Sequence, residues 1–393
     1  MINQLRTRNF MLCFLGADYY AFVHRTFLEY FCAWEFVWRF EKKRSIKIED
    51  LKTEVFGKHW QDETWHEVLL LIAGMIEAKF VGEIIDYLMA QDGESRKFAN
   101  IFLAADCLAE VKNRNEINLI SNQLCKRMKN LINYTYTHPK YYSDIDDVID
   151  ERDIIIDINK KAVEKFGDVW TEDPNTLPTL KQLAFNSEDI VQYFAIATVA
   201  KNFKEDSNTL RWLKNECMED GGEINIQAVV EAVARHFKED PETLPWLKTL
   251  ASEDECDYIQ CEALQALARH FKKDLFTLAF LKQRAQIDKL SSVRCQAIEE
   301  LVKGWKDEPN MFDFFYNITL QDTFKRIEDK DIYQSEDIHK YFEQNPRQKA
   351  LEIIIKQYLQ NPMTLSLLRN RAENDPDGQV REFAQKQLAK LEA

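Results

Sequence analysis

A period of about 34 residues runs through the second half of the chain. It constrains the fold more than any other feature, because a regular repeat of this length is the mark of stacked supersecondary units. Four segments begin with Asp and carry a Thr-Leu pair: Asp173-Pro-Asn-Thr-Leu177, Asp206-Ser-Asn-Thr-Leu210, Asp240-Pro-Glu-Thr-Leu244 and Asp274-Leu-Phe-Thr-Leu278. A weaker fifth start lies at Asp307, and the successive spacings are 33, 34, 34 and 33 residues. A last copy opens at Asn361-Pro-Met-Thr-Leu365, 54 residues on. That interval leaves roughly twenty extra residues between about Asn317 and Asn345.

Each unit reads as two antiparallel helices. In the third, Thr243 is placed to cap the first helix, and Pro245 falls in the first turn, where backbone donors are unpaired anyway. Leu244, Leu247 and Leu250 make one apolar stripe. The acidic stretch from Ser252 to Asp257 reads as the turn. Ile259, Ala263, Leu267 and Phe271 then give the second helix a narrow apolar face at four-residue spacing. Ala232, Ala266 and Ala297 recur on these second helices and permit close approach. A helix pair of this size cannot bury both faces alone, so neighbouring units must supply the core.

The pattern resembles the HEAT-like repeats of phycobilisome-lyase-type proteins and many bacterial scaffolds. It is carried by Val191-Gln-Tyr-Phe-Ala195, Ile259-Gln-Cys-Glu-Ala263, Val293-Arg-Cys-Gln-Ala297 and Val380-Arg-Glu-Phe-Ala384. The resemblance covers about 161–393, with 312–342 departing from it, and implies an α-solenoid. It says nothing of activity.

Composition agrees with helices. Only ten glycines and nine prolines in 393 residues argue against a turn-rich β fold. A net charge of −14 makes a broad phosphate-binding face, and hence nucleic acid, an unfavourable partner. The eight cysteines, Cys217 among them, form no C-x-x-C pair, which fits reduced thiols in a cytoplasmic protein rather than a disulfide framework or a zinc site. The apolar run from Phe10 to Leu15 is too short to span a membrane.

The first 120 residues differ in character. Phe10–Leu15, Gly16-Ala-Asp18 and Tyr20–His24 read as a short β-hairpin. Thr26 then opens a very apolar helix through Trp38, and a second buried helix runs from Trp65 to Ile76. The string Phe22-Val-His24-Arg-Thr26-Phe27-Leu-Glu29-Tyr30-Phe31, with the later Trp65-His-Glu67-Val block, resembles the winged-helix end of NACHT-type signalling NTPases of the STAND class. This resemblance covers about 5–90. The chain contains no G-x-x-x-x-G-K-[ST] phosphate loop. The resemblance therefore implies the sensor-side, C-terminal portion of such a protein, with any NTPase activity in an upstream polypeptide. The expected fold is all-α: a helical domain with a small hairpin over 1–120, a helical linker over 121–160, and a HEAT-like solenoid over 161–393 with an insertion at about 312–345.

Candidate sites follow from the two halves. Lys201 and Lys204, Arg235 and Lys238, Arg269 and Lys272, and Lys303 and Lys306 recur every 34 residues. In a regular solenoid they form a basic ridge for an acidic or phosphorylated protein partner. Alternatively they complement helix C-termini, with Phe203, Phe237, Phe271 and Trp305 in the core. Trp212, Trp246 and Phe280 form a second column that reads as inter-repeat packing. The NACHT resemblance implies that the histidine at His24 contacts a nucleotide phosphate in intact members; without an NTPase domain the expected role of His24 is structural, at the hairpin–helix junction. Cys32 with His59 or His66 has the residue types of a nucleophile–base pair, though Cys32 lies among large apolar residues. No cofactor and no metal is expected. The function so implied is an interaction or sensor scaffold of a signalling or defence protein, without catalysis of its own. A bilin-binding, lyase-like protein is the alternative that the repeats alone would allow, and it would be separated by binding to a tetrapyrrole. Phe10, Leu12, Phe14, Phe22, Phe27, Phe31 and Trp34 are expected to leave an apolar face open to self-association or to an upstream partner.

Overall fold

The computed structural model describes residues 12–16, 19–135, 145–186, 189–215, 223–254, 256–326 and 344–392. Phe10, residues 17–18, Cys217 and residues 327–343 lie outside them. The protein is all-α, and its second half is solenoid-like. Strands Leu12–Gly16 (β1) and Tyr19–Phe22 (β2) pair antiparallel, with Leu12 opposite Phe22 and Cys13 opposite Ala21. The chain divides into two compact units, 1–203 and 204–393.

In the first unit, α1 (Arg25–Glu41) packs on α2 (His66–Met75). The α1 sequence is apolar almost all round, and a helix has only one face to give each neighbour. Glu29, Ala33 and Val37, four residues apart, are its buried row. Phe36 meets Trp65 at 6.3 Å and Phe40 meets Phe80 edge-on at 4.9 Å. Between the two helices a π-helical stretch, Leu51–Phe56, buries Leu51, Val55 and Phe56. Four more helices follow: α3 (Ala78–Met89), α4 (Ala99–Ala109), α5 (Asn118–Ile132) and the long α6 (Ile145–Val169).

Helix α6 ties the unit together. It packs on α4 and α5 on one side and on α7 (Thr176–Asn186) and α8 (Asp189–Asn202) on the other. Asn159 donates to the carbonyls of Leu131 and Tyr134, the Trp170 indole donates to Ser121, and Lys165 pairs with Asp106. Gly167 lies where a Cβ would stand 2.2 Å from the Thr198 methyl, so this crossing excludes any side chain. The sequence boundaries at 120 and 161 therefore fall within one packed body. Periodicity located the repeat, but it could not show that the helix before it shares a core with residues 99–132.

The second unit contains five helix pairs. These are α9 (Thr209–Lys214) with α10 (Glu223–His236), α11 (Thr243–Glu253) with α12 (Asp257–His270), and α13 (Thr277–Ile287) with α14 (Ser291–Trp305). The last two are α15 (Met311–Gln321) with α16 (Pro346–Gln357) and α17 (Pro362–Asn374) with α18 (Gly378–Glu392). The second helices stack in chain order, α10 on α12, α12 on α14, α14 on α16 and α16 on α18. One continuous core results, in which Ala234, Ala263, Ala297, Ala350 and Ala384 are the close-contact positions.

Three local expectations are corrected. First, Thr243 does not cap its helix; its hydroxyl is fully buried without a partner. The Asp three residues earlier instead caps the turn that leads into the helix, its carboxylate accepting the backbone N–H two residues on, at 2.8 Å for Asp173, 3.0 Å for Asp206 and Asp240, and 3.1 Å for Asp274. The Thr is buried in each of these turns because it points into the core. Second, the fifth unit starts at Glu308, not Asp307. Glu308 N–H bonds to Trp305 and Met311 N–H to Glu308, as Asp274 does to Phe271 and Thr277 to Asp274, and the period stays at 34. Third, 312–321, expected to depart from the repeat, is an ordinary first helix; the extra residues fall between α15 and α16, in keeping with the expected place between about 317 and 345.

Candidate interaction surfaces

The turns between paired helices hold the most ordered polar network. Arg294 on α14 donates to the Asp288 carbonyl at 2.7 Å within its own repeat. It also forks onto the Asp322 carboxylate of the next, at 2.7 and 3.1 Å. Arg347 on α16 repeats this: it donates to the carbonyls of Asp322 and Phe324 and pairs with Asp375 at 3.2 Å. Arg381 donates to the Asp375 carbonyl at 2.6 Å. A planar guanidinium suits this double task, since its donors leave in a fixed fork. In Arg294 the Val-Arg pair is thus a stacking device, whereas Arg381, in the last pair, bonds within its own repeat. Asp288 and Asp375, each six residues before an Arg, were the signal that sequence reading passed over.

All eight residues of the expected basic ridge are solvent-exposed. Lys201 lies in the first unit and pairs with Asp168 at 2.9 Å. In the second unit, Lys204 approaches Glu205 at 3.7 Å, Arg269 pairs with Glu231 at 2.9 Å, and Lys303 pairs with Glu300 at 2.7 Å. Lys238 sits over the Phe271 ring of the following repeat at 5.9 Å, and Lys272 over Trp305 at 5.8 Å. Only Arg235 and Lys306 of the eight form no ion pair or ring contact among the described residues. Most of these cations thus have intramolecular partners within their own unit. The aromatic column is packing: Trp212 is buried, and Trp246 and Phe280 lie half-buried against the core. Lys214 covers the Trp246 ring at 5.4 Å.

Beside this ladder, Glu262 on α12 stands among carboxylates. Burial pushes its carboxyl up, with Glu231 and Glu300 adding to the effect against a hydrogen bond from Gln227 and the charge of Arg269. A raised acid favours the fold while it is protonated, and that contribution is lost as pH rises through its folded value. Glu262→Gln is therefore expected to raise the melting temperature at neutral pH, with the gain vanishing below the ordinary glutamate value of about 4.3. Thermal melts from pH 3 to 8 check this, and an equal gain at every pH would refute it.

The N-terminal motif residues lie around the start of α1. His24 is its N-cap residue, exposed, in extended conformation and without a side-chain cap bond; its ring tilts on Phe27 at 6.2 Å. Thr26 is exposed in the first turn and Phe27 half-buried. Glu29 is buried and accepts from Arg25 at 2.6 Å; Arg25 also donates to the Thr64 carbonyl at 2.9 Å, tying α1 to the approach to α2. Trp65 stacks flat on His59 at 3.8 Å, and Glu67 is exposed. His66 bonds to the Trp60 carbonyl. Burial pushes the Cys32 thiol up, which works against a thiolate nucleophile. No group of three His, Cys, Asp or Glu among the described residues is arranged to hold a metal.

Opposite the buried row of α1 lies an apolar stripe. Leu28 is 54% exposed, Tyr30 45%, Trp34 46%, Phe31 39% and Trp38 37%. Trp34 and Trp38 stack on each other at 6.2 Å, and Phe31 stacks on Phe22 at 5.7 Å. Phe22 and Phe27, expected to be exposed, are half-buried because their rings rest on α1 and its cap.

No family model, curated protein or solved structure matches the chain.

Proposed function

We propose that this chain is a non-catalytic protein-interaction scaffold of a cytoplasmic NACHT-type signalling or defence system, meeting an NTPase-bearing polypeptide through α1. The observation that carries this reading is the aromatic stripe of α1. Large apolar patches on a folded surface mark interfaces, and Trp and Tyr are the residues that most often anchor them. The motif residues that suggest the NACHT class surround that stripe, with Phe22 stacked on it and the Arg25–Glu29 pair fixing the helix behind it. No described helix is long and apolar enough to cross a membrane.

The test is association through this face. In light scattering at high concentration the protein is expected to self-associate and bind a hydrophobic dye when no partner is present. Trp34→Glu with Trp38→Glu should restore a monomer with unchanged helicity, since both rings are substantially exposed. A parent protein that stays monomeric and dark with dye would overturn the reading.

A further inference from the structure

The repeats act as internal controls on one another. Five of the six turns that open a first helix have an acid or amide just before the capping residue: Glu172, Glu205, Glu239, Asp307 and Gln360. The two positions after the cap are Pro174-Asn175, Ser207-Asn208, Pro241-Glu242, Pro309-Asn310 and Pro362-Met363. The turn that opens α13 departs at all three positions, reading Lys273-Asp274-Leu275-Phe276. Its backbone does not depart. Asp274 accepts the Phe276 N–H at 3.1 Å and Thr277 is buried, as in its siblings.

The fold gains little burial from this change. These positions are solvent-exposed in each of the other turns, and here Leu275 is 89% and Phe276 68% exposed. Two large apolar side chains held in water by a well-ordered turn bring little burial to the native state. Two lysines flank them: Lys273 forms no ion pair among the described residues, and Lys248, paired with Asp274 at 3.6 Å, stands 5.9 Å from the Phe276 ring. Lys272 and Lys273 line one cleft with Gly304, Trp305, Asp307 and Glu308.

We infer that the Leu275–Phe276 turn is a docking finger for an acidic amphipathic helix of a protein partner. Its apolar face would cover the two side chains, and its carboxylates would face Lys272 and Lys273. This site is separate from the α1 face and stands or falls independently of it. A peptide fits better than an anionic membrane. A uniformly anionic bilayer would meet Asp274, Asp307 and Glu308 together with the lysines, and the net charge of −14 opposes its approach, whereas a peptide can place its few carboxylates at Lys272 and Lys273 alone.

The test selects a displayed library of twelve-residue peptides on the full chain, with counter-selection on L275P/F276N. That variant carries the ordinary turn of its siblings and is expected to fold like the parent by circular dichroism; should it fail, Phe276→Asn and Lys273→Glu serve singly. Enriched peptides should combine Asp and Glu with Leu or aromatic residues at helical spacing. By fluorescence anisotropy they should bind L275P/F276N about tenfold more weakly. Binding to Lys273→Glu should be weaker and less salt-dependent. Peptides that bind parent and variant equally, or no enrichment at all, would overturn the proposal. So would sedimentation of the parent, but not the variant, with phosphatidylserine-containing vesicles in the absence of any selected peptide.

Discussion

Asp375→Ala is expected to destabilise the second unit by about 3–5 kcal/mol, the cost of leaving a buried charge unpaired. The Asp375 and Arg347 side chains are 0% and 2% exposed. Asp375 also accepts the Asp377 N–H at 2.9 Å and receives Arg371. Removing the carboxylate strands a guanidinium between α16 and the turn before α18, and it deletes the cap of that turn as well. The Lys204–Glu205 pair provides the contrast. Both side chains are more than half exposed, so Glu205→Ala should stay within about 0.5 kcal/mol of the parent. Denaturant titration followed by circular dichroism measures both. A loss under 1 kcal/mol for Asp375→Ala would mean that water reaches the pair.

The second large effect concerns where the chain can be divided. Residues 204–393 alone are expected to melt cooperatively with strong helical dichroism, because each pair of a solenoid is held by its nearest neighbours. A chain starting at residue 161 should behave worse, despite being longer. It would keep the second half of α6, whose Ala162, Val163 and Phe166 are at most 1% exposed against a core drawn partly from α4 and α5. With those helices gone the half-helix presents bare apolar surface, and aggregation or dye binding is the expected result. If 204–393 proves unfolded while 161–393 folds well, α6 belongs to the repeats after all.

That boundary shows where sequence reading reached its limit. The repeat was legible because Asp, Thr and Leu recur at fixed spacing, and the period survives even where the Thr is replaced by Met311. The roles inside it were less so. Thr243 and Asp240 are both good capping residues, and only the backbone path decides that Asp takes the N–H while Thr turns into the core. Arg347 was overlooked because Pro346 stands where the other copies have Val or Ile. Its Asp322 partner lies 25 residues away across the insertion, rather than six. The basic ridge was visible as eight cations. Its acids, such as Asp168 and Glu231, lie 33 and 38 residues from Lys201 and Arg269, beyond any local pattern. The Leu-Phe turn, by contrast, could be read directly. It sat among the quoted repeat starts, and only its exposure was wanting.

The arginine forks do not extend through the whole second unit. They join α14 to the turn before α16 and α16 to the turn before α18. On α12 the corresponding residue is Gln260, whose Oε1 is buried without a partner. Asp288, which would receive a fork there, is taken by Arg284 of its own helix at 3.3 Å. A one-dimensional array opens at its weakest junction, so this unit has a polarity. Its amino-terminal pairs, which lack such a fork at Gln260, form the softer end and its carboxyl-terminal pairs the clamp. The Leu275–Phe276 turn stands at the boundary between them, where a bound helix would stiffen the soft end.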